Sequence, residues 1–279
     1  MTLSILHTLS SSWRDWLREN IAQGCDEASM VKAITASGYL DAAMALLAVR
    51  EARTFSNVTP LAARPFVDTQ SNQVDIDGHA IAIIMVIANP RIVLFGNVLS
   101  DSECDELAAF THDRLTRSPV IEGNDGSMQT HPHRTSTGAM CQRGETALIA
   151  RIEQRLAALL HWPVDHGEGL QVLNYGIGDE YRPHFDWFDT AQAGPRTHME
   201  KGGQRVGTII MYLSDVEQGG GTTFPHIGLE VSPRKGCAVF FTNVDPDGLP
   251  DQLTLHAGAP VRQGGKLIAT KWLRERPYV

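Results

Sequence analysis

The segment Asn174-Tyr175-Gly176-Ile177-Gly178-Asp179-Glu180-Tyr181-Arg182-Pro183-His184-Phe185-Asp186 runs through a glycine-containing turn and closes on His-x-Asp. Side chains two apart on a strand point to the same face. On a strand here, His184 and Asp186 project together, and Phe185 turns the other way into a core layer. An imidazole beside a carboxylate is two-thirds of a facial triad for iron(II), a ligand set that leaves coordination positions open to small molecules. The chain has 11 histidines, so His-x-Asp alone constrains little and a second imidazole has to be found.

A supplier lies downstream. Leu253-Thr254-Leu255-His256 alternates apolar and polar, which predicts a strand with Thr254 and His256 on one face. Beyond a Gly264-Gly265 turn, Lys266, Ile268, Thr270 and Trp272 share a face by the period of two. A lysine on the inner face of a barrel is costly unless it meets an anion. From residue 170 to the end, short runs of β-type residues alternate with Gly, Pro and Asp turns. That texture predicts an all-β barrel or sandwich, and a jelly roll is one natural solution.

Upstream the period changes. Within residues 11–53, Trp13, Trp16 and Leu17, then Met30, Val31 and Ile34, then the Ala- and Leu-rich residues 40–52 have helical spacing. They predict a small helical packing region over residues 1–60. Residues 57–72, with Pro60 and Pro65, read as a linker. Residues 61–89 are then linker plus leading strand, ahead of a domain over 90–279. Residues 80–88 and 91–95 predict buried strands. Ser100 caps a helix to about Arg117, and a second helix covers about residues 145–160. The expected fold class is α+β, with helices supporting a β core.

Composition narrows the field further. In 279 residues, 42% hydrophobic and 20% charged allow a sizeable core. The formal charge of −8 argues against a nucleic-acid binder, which needs a basic field, and against docking on an anionic membrane. The longest apolar run, residues 80–88, is too short to span a bilayer, and no basic-then-apolar leader opens the chain. Cys25, Cys104, Cys141 and Cys237 are scattered without a C-x-x-C pair, as in reduced cytoplasmic proteins, so a cytoplasmic setting is expected.

A series of further motifs surrounds the ligand residues. In order they are Pro90-Arg91-Ile92, Ser102-Glu103-Cys104, Arg134-Thr135-Ser136 and Gly167-Glu168-Gly169-Leu170-Gln171-Val172. Tyr212-Leu213-Ser214-Asp215-Val216, Gly219-Gly220-Gly221-Thr222-Thr223-Phe224-Pro225 and Lys235-Gly236-Cys237-Ala238-Val239-Phe240 follow. Last come His256-Ala257-Gly258-Ala259-Pro260-Val261, Gly264, Lys266, Lys271 and Trp272. Over residues 90–277 the chain thereby resembles the prolyl 4-hydroxylases, a branch of the iron(II)- and 2-oxoglutarate-dependent dioxygenases.

The resemblance implies a double-stranded β-helix core of jelly-roll, cupin-like form. It implies that His184, Asp186 and His256 hold iron(II). Lys266 would pair with the far carboxylate of 2-oxoglutarate, Tyr175 would hydrogen-bond the cosubstrate, and Tyr212 and Thr223 would complete that pocket. O2 is the oxidant, ascorbate the expected reductant, and 2-oxoglutarate is converted to succinate and CO2. In peptide-binding members, an aromatic three residues before the first ligand and a tryptophan six after the lysine flank the target proline. Tyr181 and Trp272 stand there, although both rings would also serve to fill a barrel mouth.

Leu267 replaces a frequent tryptophan and is expected to reshape the pocket wall, while the retained Asp186 excludes the halogenase variant. Two polar loops, residues 121–133 and 189–205, are expected to border the site. Arg182, Arg196 and Arg205 are candidates for a substrate carboxylate or for plain surface roles. His131, His133 and His226 read as solvated. Three functions follow: hydroxylation of a prolyl residue in a peptide or protein, hydroxylation of a free proline- or pipecolate-like amino acid, or a silent barrel whose helical N-terminus recruits a partner. No oligomeric state is implied.

Overall fold

The computed structural model describes residues 5–22, 25–56, 64–117, 119–121, 128–130, 134–189 and 197–279. The chain divides into two compact units, Met1–Ala62 and Ala63–Val279. In the first, helices α1 (Ser11–Ala22), α2 (Glu27–Ala36) and α3 (Ala42–Ser56) follow a short turn at Ile5–Thr8. The helical stripes meet as their spacing requires. Leu17, Met30, Ile34, Ala45, Ala48 and Val49 are buried in one cluster. Asp26 caps α2 by accepting a hydrogen bond from the Ser29 backbone N–H at 2.9 Å.

The second unit is built around two antiparallel sheets, with two two-stranded ribbons beside them among the described residues. Its strands begin with β1 (Gln73–Ile76), β2 (His79–Ile87), β3 (Ile92–Gly96), β4 (Thr116–Arg117), β5 (Pro119–Ile121) and β6 (Met128–Thr130). Next are β7 (Thr137–Cys141), β8 (Leu170–Tyr175), β9 (Tyr181–His184), β10 (Arg205–Tyr212), β11 (Gln218–Gly219) and β12 (Thr222–Phe224). Last are β13 (Leu229–Val231), β14 (Ala238–Thr242), β15 (His256–Gly258), β16 (Val261–Gln263) and β17 (Lys266–Arg274). The large sheet has the order β1-β2-β3-β14-β10-β17-β8-β7-β4, and a smaller one the order β13-β12-β15-β9; the ribbons are β11-β16 and β5-β6.

Residues 73–87 of the expected linker and leading strand are thus the first two strands of the large sheet.

The middle of the large sheet is buried on both faces, and this explains the unbroken apolar runs of its central strands. Along β8, β10 and β14, Val172, Ile209 and Phe240 point to one core, and Leu173, Ile210 and Phe241 to the other. The first core is closed by α4 (Asp101–Thr111) and α5 (Ala147–Leu159) through Leu107, Ile149, Ile152 and Leu156. The second meets Phe224 and Val231 of the small sheet. This is the two-sheet jelly roll, or double-stranded β-helix, that was expected. At Gly219, φ of +74° puts the chain in the left-handed region, and an added Cβ would lie 2.3 Å from the Pro260 carbonyl oxygen.

Three local expectations are corrected. β2 is not buried throughout: Ile81 is inside, but Ile84 is 56% exposed, because the small sheet ends at β13 and leaves that face of β2 open within this unit. The helix capped by Ser100 stops at Thr111, whose hydroxyl turns back to the Leu107 and Ala108 carbonyls, and residues 116–117 enter the sheet instead. Residues 252–254 form a 3-10 turn started by the Asp251 side chain, so strand β15 begins only at His256. No helix among the described residues is long and apolar enough to cross a membrane.

α4 and α5 are joined by a buried ion pair. Glu103 closes a capping box with Ser100 and receives the Arg155 guanidinium at 2.7 and 2.8 Å, with Arg151 at 3.2 Å. Burial would raise the Glu103 carboxyl, yet Arg155, the Ser100 N–H and Arg151 outweigh it and hold it at about 2. A depressed folded pKa contributes stability above the ordinary carboxylate range and loses it as pH falls toward 2. Glu103→Gln is therefore expected to lower stability at pH 7 by about 3 kcal/mol. The urea midpoints of the two proteins should converge on acidification from pH 4.5 toward 2; a gap independent of pH would refute the ionic assignment.

Candidate active site

Strand pairing assembles two members of the triad. β9 and β15 are neighbours in a register that sets His184 opposite His256, with ring centroids 4.3 Å apart. Asp186 lies two residues beyond the end of β9. Its Oδ1 is 3.8 Å from His184 Nε2, and its Oδ2 is 3.6 Å from His256 Nε2. The three donor atoms all lie within 4.8 Å of one another. His184 Nδ1 donates to the Arg182 carbonyl at 2.8 Å and His256 Nδ1 to the Thr254 carbonyl at 3.0 Å. Those bonds place the ring protons on Nδ1 and turn both Nε2 lone pairs toward Asp186.

Burial, with His256 next to it, pushes the His184 imidazole down to about 3, so it is neutral at physiological pH. Burial would push Asp186 up, but His256, His184, Arg205 and the Thr208 hydroxyl outweigh it and keep it ionised. Thr208 Oγ1 donates to Asp186 Oδ2 at 2.8 Å. Two imidazoles and one carboxylate, with their donor atoms converging, fit iron(II).

The triad opens into a pocket between the two sheets. Lys266, Ile268, Thr270 and Trp272 of β17 line it, as their period predicts. Tyr175 is opposite Lys266 in the register of β8 with β17, and the ammonium lies 5.1 Å from its ring centroid. Lys266 is 2% exposed, and burial pushes its pKa down to about 8. Among the described residues no carboxylate pairs with it. Tyr181 stacks on His184 with centroids 3.6 Å apart, and the Arg134 guanidinium lies 4.7 Å from the Tyr181 ring.

His184, Asp186, His256, Lys266, Tyr175, Tyr181 and Trp272 are thus brought together. Tyr212 and Thr223 are not. The Tyr212 hydroxyl is buried in the adjoining core and donates to Thr222 Oγ1 at 2.8 Å. Thr222, rather than Thr223, faces the pocket, because alternation along β12 turns Thr223 away. Arg182 is exposed and pairs with Glu180 at 3.3 Å, away from the pocket. Leu267 belongs to the opposite face of β17 and packs on the helix-covered core, so it does not form pocket wall. Phe185 joins no core cluster and instead rests against Trp187 at 4.5 Å.

Arg205 holds Glu168 through two contacts at 2.7 and 2.9 Å, and its guanidinium lies 4.0 Å from the Trp272 ring. Arg274 reaches the same carboxylate at 2.9 Å. His226 is exposed, as expected. His131, His133, Arg196 and most of the two expected bordering loops lie outside the described residues. Arg134 and Thr222 stand in motifs named above without a site role, and Thr208 has no distinguishing local pattern; only the pairing of distant strands brings these three to the site.

A family profile described as the 2OG-Fe(II) oxygenase superfamily matches residues 170–274. The chain is 38% identical over 208 residues to Probable prolyl 4-hydroxylase 3 of Arabidopsis thaliana, covering 68% of this chain and 71% of that one. It is 40% identical over 188 residues to Prolyl 4-hydroxylase subunit alpha-1 of Gallus gallus, covering 67% of this chain but 36% of that protein. Among solved structures, a viral collagen prolyl hydroxylase from Paramecium Bursaria Chlorella virus-1 in a 2OG complex superimposes with TM-score 0.52. It is 29% identical and covers 66% of this chain and 95% of its own. With its His-Asp-His site in the same region, the chain belongs to the 2OG-Fe(II) oxygenase superfamily, as a prolyl 4-hydroxylase-like dioxygenase.

Proposed function

We propose that this enzyme hydroxylates a prolyl residue in a peptide or protein, using iron(II), 2-oxoglutarate and O2. The observation that carries this reading is one pocket with the metal triad at one place, an unpaired buried ammonium at another, and two aromatic rings beside the triad. Bound iron(II) would supply the oxidative chemistry, in which 2-oxoglutarate is decarboxylated and the substrate hydroxylated. The chain's own residues do the positioning. His184, Asp186 and His256 hold the metal on one side, and Lys266 neutralises the far carboxylate of the cosubstrate beside Tyr175. Tyr181 and Trp272 grip the saturated ring by apolar contact. Arg205 braces Trp272 from behind and is itself fixed by Glu168.

Charge favours a peptide over a free amino acid. A zwitterion needs an anion for its ammonium group, yet the only acidic side chain lining the described pocket is Asp186, which is committed to the triad. Glu168 is occupied by two arginines. The test is succinate release from 2-oxoglutarate with iron(II), comparing proline-containing peptides with free proline and pipecolate. Stimulation by peptides is expected. Stimulation by free amino acids alone would overturn the peptide assignment while leaving the reaction class intact.

A further inference from the structure

Asp186 lies beyond the end of its strand, so the β-ladder does not orient its carboxylate. Something else has to, because a carboxylate free to rotate can bind a metal through one oxygen or two. Two fully buried polar residues are arranged to do this. Thr208 is in the middle of β10, with Phe241 of β14 on one side and Trp272 of β17 on the other, and is 0% exposed. Asn243 follows β14 directly and is also 0% exposed. Its backbone is tied at both ends: its N–H donates to the Val206 carbonyl at 3.0 Å, and its carbonyl accepts from the Asp251 N–H at 3.0 Å.

The hydrogen bonds between these groups run in one direction only. A carboxylate that ligates a metal can only accept, so the single Thr208 hydroxyl proton goes to Oδ2 at 2.8 Å. Thr208 Oγ1 can then only accept from its other neighbour, which fixes the Asn243 amide with Nδ2 toward it at 2.9 Å. The consequence is visible at the far end of the amide. Asn243 Oδ1 is buried without a hydrogen-bond partner among the described residues. A buried carbonyl left unpaired is costly, and turning the amide over would bring two acceptors together at Thr208. The orphaned oxygen is therefore the cost of holding the Thr208 proton on Asp186. At the carboxylate, Oδ2 is engaged, while Oδ1 carries no hydrogen bond from the described residues.

We propose that Thr208 and Asn243 are positioning residues for the metal centre: together they lock the Asp186 carboxylate so that it ligates through a single oxygen. The inference rests on the metal assignment made above. One-oxygen ligation matters because three coordination positions must stay open for a chelating cosubstrate and O2. A second carboxylate oxygen on the metal would close one of them. Neither residue lines the pocket itself: Thr208 stands behind Asp186, and Asn243 behind Thr208.

The test is titration of the metal-free full chain with Mn(II), a redox-silent probe, read by calorimetry and by the Mn(II) electron paramagnetic resonance spectrum. Thr208→Val keeps the shape and removes the proton. Its Mn(II) dissociation constant is expected to rise about 10-fold or more, as for other groups that orient a ligand. Thr208→Ser, which restores the proton, should return it to within about threefold, a recovery that simple packing loss would not give. Asn243→Ala, which retains the backbone ties, should alter the spectrum and weaken binding in the same direction, and it keeps the test decisive should Thr208→Val fail to fold. Unchanged affinity and spectrum in Asn243→Ala or in folded Thr208→Val would overturn the proposal. Absence of Mn(II) binding by the unaltered chain would instead overturn the metal assignment on which it stands.

Discussion

His256→Ala is expected to reduce Mn(II) or iron(II) affinity by more than about 100-fold, beyond the usual loss for an orienting residue, and to bring succinate formation to background. Three facts make the effect large. Among the described residues the ring supplies one of only three converging donors, and it is 3% exposed, so water does not easily take its place. Its Nδ1–H is already fixed on the Thr254 carbonyl, which gives the lone pair its direction. Its Nε2 also lies 3.6 Å from Asp186 Oδ2, so its loss leaves the carboxylate less well placed too. Background turnover must disappear both with and without a peptide. Metal binding as tight as in the unaltered protein would mean that the triad is misassigned.

The second large effect is expected at Lys266. Lys266→Met should raise the KM for 2-oxoglutarate about 30- to 700-fold, the loss of roughly 2–4 kcal/mol that removing one partner of a buried charge pair costs. The same substitution should stabilise the ligand-free protein. In the folded chain this lysine gives up its proton near 8, against an ordinary value of 10.5. Between those values the unfolded chain binds more protons, so stability rises with pH across that window, and at neutral pH the buried ammonium costs on the order of 3 kcal/mol. Thermal unfolding without ligand should therefore shift up by several degrees in Lys266→Met. Added 2-oxoglutarate should raise the midpoint of the unaltered protein alone. A variant of lower stability with an unchanged KM would refute both the burial argument and the role. Site residues often destabilise a fold in this way, because an unpaired charge waits for its ligand.

How much of this was legible in the chain depended on the range of the interactions. Period-two alternation placed Lys266, Ile268, Thr270 and Trp272 on one face without any knowledge of their partners, because pleating is a property of the strand itself. The capping box at Ser100 and the apolar stripes of α1 to α3 were likewise local matters. Alternation misled where a local hydrogen bond was stronger: the Asp251 cap winds residues 252–254 into a turn, although their pattern reads as strand. It also failed to choose between Thr222 and Thr223, adjacent residues of the same type whose facing is set by the register of β12 with β13 and β15.

By itself, then, the sequence determined the two-sheet class, the helical region ahead of it, and the ordered set His184, Asp186, His256 and Lys266. The first two rest on period and turn chemistry within a few positions, and the ordered set on the resemblance carried by motifs spread over residues 90–277. Only the tertiary structure decided that His184 stands opposite His256, that Arg134 overlies Tyr181, that Thr208 reaches Asp186 from another strand, and that Asn243 backs Thr208. Those contacts join residues far apart in the chain. They follow from strand register and from the need to satisfy buried polar groups, conditions that exist only once the two sheets have closed on each other.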